Sequence, residues 1–516
     1  MGWDAVRKAR RRLSREQGTV IKDWGGRLPI ALIYPNSYYV GMSCLSVHAI
    51  YSLLNGYGDI VCERVFWERE NQVQHLPLVS LESQRPLADF AVLAFSLNYE
   101  LDYLNVVQVL RAGGIPLYAS ERSEKQPLVI AGGPVVTANP MPLSPFFDVL
   151  CIGEAEPILP GMLYLLSEAI GEDRDQLLRA LALLPGVYVP RCHPGTSLVR
   201  QWLKNLDESV TASSLLTRDT ELGDLYLIEV GRGCGWACLF CLVASSFSPM
   251  RFRSVAGLVA RAEEGLRYRK RVGLVGPAVS AHPQIEELLF ELEQMGAGLS
   301  VSSMRIKPLS HRVLEVLAKG GAQTISLAPE AGSPRLRQLV KKGISEDDIM
   351  KAISLVAELG FRQLKLYFMI GLPSETDEDV AGIIRLALSG KDILDRGRGG
   401  SRLVLNVAPF VPKAGTPFQR LPMASLATLN QRLARLRKSL PPKGIKLKVE
   451  SPSWSEVQAV LSRGDAGVAK VLAGIGEVSL PGWRKAVAGC GLDVGFYAHQ
   501  EWDASQSLPW AFIQEG

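Results

Sequence analysis

Two series of short apolar segments, each alternating with amphipathic segments, limit the fold of this chain more than any other feature. The first series has five apolar segments, at 30–34, 60–66, 90–95, 128–131 and 149–152. The second series has six, at 225–230, 272–276, 299–303, 323–328, 364–370 and 403–408. Continuous apolar strands that alternate with helices indicate parallel sheets covered on both faces. The sequence therefore predicts an α/β fold built from two βα series.

The two series differ in the architecture they predict. Five units suit a flavodoxin-like or Rossmann-like parallel sheet, which binds ligands beyond the carboxyl ends of its strands. Six units are too few to close an eight-unit barrel, so the second series predicts a partial (β/α)6 barrel. After the second series, helical patterns on either side of one strand pattern predict a small α+β domain at the C-terminal end. We expect an N-terminal domain, a linker, a barrel and a C-terminal domain, at 1–171, 172–222, 223–420 and 421–516 respectively.

Composition and charge exclude a membrane-spanning or secreted chain. The apolar share is 47%, enough for buried cores. However, no uncharged apolar run reaches the roughly 18 residues that span a bilayer. Met1 to Arg15 is basic and lacks the apolar core of a secretory signal, which predicts a cytoplasmic protein. The basic run at 7–12 suits contact with RNA or another anion, or a solvated helix.

Three of the eight cysteines are grouped on one loop, and the other five are scattered. Cys234, Cys238 and Cys241 follow the first barrel strand with C-x3-C-x2-C spacing. Three thiolates at this spacing can hold three irons of a cubane cluster and leave the fourth iron open to another ligand. A structural zinc site usually needs four ligands in paired C-x2-C spacing. No fourth cysteine or histidine lies nearby, so the loop favours an iron–sulfur cluster.

The cysteine loop resembles the signature of the radical S-adenosylmethionine (SAM) superfamily, with Phe240 in its aromatic position. This resemblance implies an enzyme with a [4Fe–4S] cluster held by the three cysteines and SAM bound at the open iron. One electron, from a donor such as flavodoxin or ferredoxin, then cleaves SAM to methionine and a 5′-deoxyadenosyl radical. The resemblance extends to about residue 420.

Several later strand ends also resemble elements with which this superfamily binds SAM. They occur in the expected order, each at the carboxyl end of a strand, where such barrels bind ligands. The SAM-binding residues that the resemblance implies are Phe240, Gly276, Pro277, Ser302, Arg305, Glu330, Met369 and Gly371. The element at Gly276 lacks the usual acidic residue, and each short element also has an ordinary structural explanation.

The first βα series resembles the cobalamin-binding-type domain that precedes many radical SAM barrels. The resemblance rests on Gly132-Gly133-Pro134 and on Gly153-Glu154-Ala155-Glu156. It implies cobalamin contacts from Tyr38, Tyr39, Gly41, Ser96, Asn98, Gly132 and Gly133. None of the six histidines, at 48, 75, 193, 282, 311 and 499, has an aspartate two positions earlier, as the D-x-H-x-x-G motif of some cobalamin domains requires. Cobalamin would therefore bind without a histidine ligand; a cofactor-free domain is the alternative.

The leading hypothesis is a cobalamin-dependent radical SAM methyltransferase. An RNA methylthiotransferase, or another radical SAM enzyme without cobalamin, is the alternative, but methylthiotransfer needs a second cluster. Cys44, Cys62 and Cys151 are poorly spaced for one. A cluster-bearing sensor or RNA-binding protein is a third hypothesis, and the SAM elements argue against it. The region after residue 400 resembles an uncharacterised subgroup, so the substrate class, whether small molecule, peptide or RNA, stays open.

Overall fold

The computed structural model describes residues 2–74, 77–193, 197–397 and 399–516. Its first sheet has the strand order β2-β1-β3-β4-β5-β6, in which the first five strands are parallel and β6 is antiparallel. The strands are β1 Leu28–Tyr34, β2 Ile60–Phe66, β3 Val92–Ser96, β4 Leu128–Gly132, β5 Val149–Cys151 and β6 Val187–Tyr188. The order 2-1-3-4-5 is that of flavodoxin-like sheets, so the predicted topology is confirmed.

Helices pack on both faces of this sheet. They are α1 Trp3–Leu13, α2 Tyr38–Gly41, α3 Leu45–Gly56, α4 Arg69–Gln74, α5 Tyr103–Ala112, α6 Pro134–Ala138, α7 Ala155–Ala169 and α8 Arg174–Leu181. The strands are buried along almost their whole length, as the apolar runs predict. The basic helix α1 is tied to this domain by an ion pair of 2.5 Å between Arg12 and Glu68.

The second βα series forms two parallel sheets, β12-β11-β8 and β13-β14-β15-β16. A short antiparallel pair, β9 with β10, lies between β8 and the first barrel helix. The strands from the connecting segment onward are β7 Leu198–Val199, β8 Leu225–Glu229, β9 Gly231–Arg232, β10 Arg251–Phe252, β11 Arg271–Val275, β12 Gly298–Val301, β13 Thr324–Glu330, β14 Gln363–Ile370, β15 Arg402–Pro409 and β16 Lys446–Val449. All six predicted barrel strands are present.

The helices of this region alternate with its strands and continue into the C-terminal part. They are α9 Leu242–Ser246, α10 Val255–Leu266, α11 Ile285–Gln294, α12 His311–Lys319, α13 Pro334–Leu339, α14 Glu346–Glu358, α15 Asp377–Arg396, α16 Leu426–Ser439, α17 Pro452–Arg463, α18 Val468–Gly474 and α19 Leu480–Cys490. The last strand, β17 Ile513–Gln514, pairs with β7. None of the helices in the described ranges is both long and apolar enough to cross a membrane.

Two elements lie beyond the domain limits that the sequence predicts. Strand β6 joins the first sheet although it follows residue 171, and β16 extends the second barrel sheet although it follows residue 420. Both strands are short and follow helices, so their sequences do not indicate which sheet they join. The outer edge of the second barrel sheet is therefore β16. The sixth predicted strand, β15, lies inside the sheet.

Candidate functional site

The cysteine loop is closed by the β9–β10 ladder, in which Arg232 pairs with Arg251 and Gly231 with Phe252. Cys234, Cys238 and Cys241 therefore lie on a loop whose two ends are fixed side by side. Gly233 has a φ of +80°, and a Cβ there would lie 2.2 Å from the carbonyl oxygen of Phe247. The turn that leads into the loop therefore requires glycine at this position.

The three loop thiols are close enough to influence one another. Burial raises the pKa of Cys238, the Lys342 ammonium lowers it, and Cys241 and Cys234 raise it. Burial also raises the pKa of Cys241, and Cys234 raises it further. Neutral thiols are thus favoured in the metal-free chain, and metal binding would release their protons.

The arrangement of these donors fits a cluster better than a single ion. Among the described residues, no group of three or more His, Cys, Asp or Glu side chains could hold one metal ion. One zinc ion would draw sulfurs to about 3.8 Å from each other, given its bonds of about 2.3 Å and tetrahedral angles. A cubane instead places each cysteine on a different iron and so spreads them further. The donor set, three thiols without a fourth, fits a [4Fe–4S] cluster with one open iron.

Several of the predicted SAM-binding residues surround this loop. The Arg305 guanidinium lies 3.4 Å above the centre of the Trp236 ring, on the loop itself. Burial lowers the pKa of Arg305, whereas Cys234 and Cys238 raise it. Arg305 is therefore next to the cysteine loop, and its contact with SAM stays a prediction.

Glu330 ends β13 with a φ of 68°, which is unusual for a residue other than glycine. Its Oε1 accepts a hydrogen bond of 2.8 Å from Nζ of Lys342, the same lysine that acts on Cys238. The sequence analysis missed Lys342 because nothing in the segment after α13 distinguishes it from a surface lysine. The same holds for Trp236, whose role as a platform for Arg305 depends on the fold.

The other predicted SAM residues lie in three places. Ser302 Oγ accepts from the Gly276 N–H at 3.1 Å, so the ends of β11 and β12 are tied together beside Pro277. Phe240 and Met369 are partly buried against a small apolar cluster that includes Phe410 and Phe418. The Gly371 N–H donates to Oε2 of Glu375 at 2.6 Å, in the turn after β14. The structure thus places Gly276, Pro277, Ser302, Met369 and Gly371 at carboxyl strand ends and Phe240 on the cysteine loop. Their contact with SAM stays a prediction.

A cavity of about 1100 Å³ lies between the first sheet and the strand ends of the barrel. On the first domain it is lined by the ends of β1, β3, β4 and β5 and by helices α3 and α7. On the barrel it is lined by Glu229, Gly231–Gly233, Val275–Pro277, Ser302 and Ser303. This volume slightly exceeds the roughly 300–1,000 Å³ of ordinary ligand sites. The cavity therefore suits a large cofactor that contacts both domains.

Four of the seven predicted cobalamin residues line this cavity: Ser96, Asn98, Gly132 and Gly133. The Asn98 side-chain amide donates to Cys44 Sγ at 2.9 Å and to Ser46 Oγ at 3.0 Å, and both partners also line the cavity. Sequence reasoning missed Cys44 and Ser46 because they precede and begin a helix instead of ending a strand.

Gly133 has a φ of +126°, and a Cβ there would lie 2.1 Å from the Leu97 carbonyl oxygen. This glycine therefore allows the chain to turn tightly against its own backbone. Its role in the turn stands whether or not a cofactor approaches it. The side chain of Cys151, next to Gly132, also lines the cavity.

The other three predicted residues, Tyr38, Tyr39 and Gly41, do not line the cavity. Tyr38 is buried, and its hydroxyl donates to Oε1 of Glu16 at 2.5 Å. Gly41 packs against the Phe66 ring, and Tyr39 is 47% exposed. They follow β1 as predicted, but the short helix α2 carries them away from the sheet edge.

No histidine in the part of the chain that the structure describes lines this cavity. His48 is buried on α3, where burial lowers its pKa to about 4 and its Nε2 lies 3.1 Å from the Met42 carbonyl oxygen. It is not among the lining residues, and neither is any other histidine that the structure describes. His75 lies outside the described residues.

A buried ion-pair network links the cysteine loop to the first domain. Arg232 donates to Glu154 at 2.8 Å, to Glu156 at 2.9 Å and to Glu229 at 2.9 Å. Arg251 also pairs with Glu154, at 2.7 Å. The sequence around Glu154 and Glu156 does not indicate this role, because their partners lie 76 or more positions away.

Comparisons with known proteins agree with this geometry. The sequence profile described as "Radical SAM superfamily" matches residues 228–387, and that described as "Radical SAM proteins, N-terminal" matches residues 46–190. An uncharacterized protein of Methanocaldococcus jannaschii is 31% identical over 446 residues, which are 86% of this chain and 90% of that protein. An uncharacterized methyltransferase of Pyrococcus horikoshii is 25% identical over 272 residues, 50% of this chain and 57% of that protein.

Two solved structures share the fold at low sequence identity. The radical SAM methyltransferase TsrM from Kitasatospora setae, solved with tryptophan and a SAM analogue, superposes with a TM-score of 0.52 at 14% identity. That match covers 76% of this chain and 75% of TsrM. The cobalamin-dependent SAM radical enzyme OxsB, solved with aqua-cobalamin, also has a TM-score of 0.52 at 14% identity, over 79% of this chain and 62% of OxsB. These likenesses concern the fold alone.

Proposed function

Because the chain belongs to the radical SAM superfamily, we propose that it is a cobalamin-dependent radical SAM methyltransferase. The observation that carries this proposal is the cavity of about 1100 Å³, which joins the carboxyl edge of the flavodoxin-like sheet to the strand ends beside the cysteine loop. A methyl carrier bound there would face the same space as SAM on the open iron.

The three cysteines, Arg305 and Glu330 lie beside the cavity, not among the residues that line it, and have defined tasks in this proposal. Cys234, Cys238 and Cys241 hold the [4Fe–4S] cluster, which supplies the electron that cleaves SAM. Arg305, stacked on Trp236, and Glu330, paired with Lys342, lie beside it and orient the polar groups of SAM.

The first domain holds cobalamin, which supplies the methyl group. Ser96, Asn98, Gly132 and Gly133 line its part of the cavity. The slot between α3 and α7 is lined mainly by apolar residues, among them Ile50, Leu53, Ile158 and Met162. It suits the insertion of a long organic substituent, such as the nucleotide tail of the cofactor, while Asn98 and the serines meet polar groups at the sheet edge.

The methylthiotransferase alternative has less support from the positions of the other cysteines. Cys62 and Cys151 are fully or almost fully buried on β2 and β5, at different positions in the sheet. Burial raises the pKa of Cys151 to about 12. Strands β2 and β5 are separated by β1, β3 and β4, so Cys62 and Cys151 lie about 19 Å apart across the sheet, too far to bind one cluster together. A second cluster built on Cys44, Cys62 and Cys151, as methylthiotransfer would need, is therefore not supported.

Cofactor retention separates the proposal from its alternatives. The full chain would be reconstituted anaerobically with iron and sulfide, incubated with hydroxocobalamin and passed through gel filtration. We expect about one corrinoid per chain in the visible spectrum, and 5′-deoxyadenosine after addition of SAM and a flavodoxin reducing system. Formation of 5′-deoxyadenosine without retained corrinoid would favour a radical SAM enzyme that does not use cobalamin. Retained corrinoid without SAM cleavage would contradict the radical mechanism.

A further inference from the structure

The sheet β13-β14-β15-β16 has one apolar face and one polar face. On β14, Leu364, Leu366, Phe368 and Ile370 are buried in the core, whereas the alternate residues Lys365, Tyr367 and Met369 are at least partly exposed. Alternation along a strand places Lys365 and Tyr367 on the side opposite the core. Glu330, which ends β13 beside the cysteine loop, belongs to the same partly exposed set on its own strand. The polar face is therefore the inner face of the open barrel.

The register brings four polar residues of this inner face together. Tyr367 pairs with Asn406, and Asn406 pairs with Lys448 on the next strand. Neighbouring strands lie about 4.8 Å apart, and residues two apart on one strand lie about 6.6 Å apart. Lys365, Tyr367, Asn406 and Lys448 thus form a compact group, which we call the lumen group.

The lumen group is positively charged. Neither lysine makes a hydrogen bond or ion pair with any residue that the structure describes. The carboxylates at the ends of β8 and β13 already have cationic partners. Glu229 pairs with Arg232 and Arg253, and Glu330 pairs with Lys342. Glu450, just beyond the end of β16, is exposed and acts on the phenol of Tyr99. The charges without a partner on the inner face near Tyr367 are therefore the positive charges of Lys365 and Lys448.

Two members of the lumen group are suited to ligand contact. Tyr367 is 42% exposed although it lies in the middle of an interior strand. The Nδ2 atom of Asn406 is buried and has no hydrogen-bond partner among the described residues. A buried donor without a partner is destabilising, so its presence points to a partner from outside the chain. The aromatic ring beside it offers a flat apolar surface.

Edge protection does not account for the whole group. Lysines on an edge strand prevent unwanted strand pairing, and β16 is the edge of this sheet. That explanation covers Lys448 and Lys446. It does not cover Lys365 and Tyr367, because β14 lies between β13 and β15.

We propose that the lumen group binds the substrate and that the substrate is a small planar anion. Its ring lies against Tyr367, its carboxylate or phosphate meets Lys365 and Lys448, and Asn406 donates a hydrogen bond to it. The inference deepens the proposed function, on which it rests, by giving the chemical class of the molecule that is modified. Lys365, Tyr367, Asn406 and Lys448 are specificity-determining residues in this account.

Pyridoxal 5′-phosphate is a suitable probe because it is planar and anionic and its aldehyde reacts with an unpaired lysine. The amine nitrogen bonds to the aldehyde carbon and water leaves, and borohydride then delivers a hydride that fixes the adduct. The full chain would be titrated with the probe, reduced, digested and analysed by mass spectrometry. We expect saturable labelling of Lys365 at concentrations roughly tenfold below those that label Lys351, an exposed lysine of α14. Equal labelling of the two lysines would overturn the inference.

Variants and competitors complete the test. Tyr367→Ala is expected to raise the probe concentration that half-saturates labelling of Lys365 about tenfold. Tyr164→Ala, at an exposed tyrosine of α7, is expected to leave that concentration unchanged.

Competing ligands, added at constant ionic strength, identify the anionic group. Protection of Lys365 by benzoate would identify a carboxylate site, and protection by phenyl phosphate would identify a phosphate site. Protection by neither would contradict the proposal. Corrinoid retention and 5′-deoxyadenosine formation do not involve these residues, so they report separately on the proposed function.

Discussion

Arg232 and Glu154 form an ion pair of 2.8 Å that joins the cysteine loop to the turn after β5. The Glu154 side chain is 3% exposed and also accepts from Arg251 and from the Leu203 N–H. One carboxylate of the first domain thus holds two arginines of the two strands that close the cysteine loop. This contact fixes the distance between the cluster and the cavity wall of the first domain.

Glu154→Ala should destabilise the protein strongly. Removing one partner of a buried ion pair leaves uncompensated charge, here on Arg251, and costs about 3–5 kcal/mol. Arg232 keeps its ion pairs with Glu156 and Glu229. Urea unfolding followed by circular dichroism measures the effect. Glu168→Ala, at an exposed position of the same helix region, is the matched control and should change the free energy of unfolding by less than about 0.5 kcal/mol. Equal stability of the two variants would show that the network does not join the domains.

The order of strands in the first sheet is not a local signal, and the sequence left it open between flavodoxin-like and Rossmann-like sheets. The two βα series could be predicted from the sequence because periodicity and apolar runs are local signals. The Arg232–Glu154 pair could not, because its members lie 78 positions apart and each belongs to a different domain. Strand β16 illustrates the same limit. Lys446–Val449 has the pattern of a strand, but the sheet that it joins depends on the path of α16.

The candidate site was predicted in part for the same reason. Glycines and polar residues at strand ends, such as Asn98 and Ser302, reach the cavity because parallel strands share one carboxyl edge. Tyr38 follows a strand end as well, but its hydroxyl is bound by Glu16, and Arg12 lies over its ring. Such tertiary partners, unlike strand ends, leave no local pattern in the sequence.

The cysteine loop gives a direct prediction of iron content. Cys234→Ala combined with Cys238→Ala and Cys241→Ala should lower iron after reconstitution from about four atoms per chain to near zero, because no other ligands replace three thiolates. Cys490→Ala, at an exposed free cysteine of α19, should retain the iron. Colorimetric iron analysis and electron paramagnetic resonance of the reduced protein measure both. A triple variant that keeps the cluster signal would exclude this loop as its site.

The cavity predicts that added bulk blocks corrinoid binding without affecting the cluster. Ala94 of β3 lines the cavity and is partly exposed to it. Ala94→Phe should weaken hydroxocobalamin retention at least tenfold, since the ring occupies space that the cofactor needs. Ala112→Phe, the same change at an exposed position of α5, should have no effect. Iron content should be equal in both variants. Unchanged retention in Ala94→Phe would place the corrinoid elsewhere.

Asp102 predicts a pH dependence of stability. Burial raises its pKa to about 6, although the Asn36 amide, which donates to its Oδ1 at 2.9 Å, lowers it. An unfolded aspartate titrates near 3.9. Between about pH 4 and 6 the folded chain therefore keeps a proton that the unfolded chain releases, so the free energy of unfolding falls as pH rises through this window and stays lower above it. The corresponding cost at pH 8 is on the order of 2–3 kcal/mol.

Asp102→Asn should remove this cost, because the amide is neutral at every pH and keeps an oxygen that can accept from Asn36. We expect the free energy of unfolding at pH 8 to rise by about 1–3 kcal/mol relative to the wild type, and the gain to shrink as pH falls toward 4. Urea unfolding at several pH values measures the difference. Asp392→Asn, at an exposed aspartate of α15, should show no such trend. A gain that is equal at pH 4 and pH 8 would mean that Asp102 does not titrate in this window.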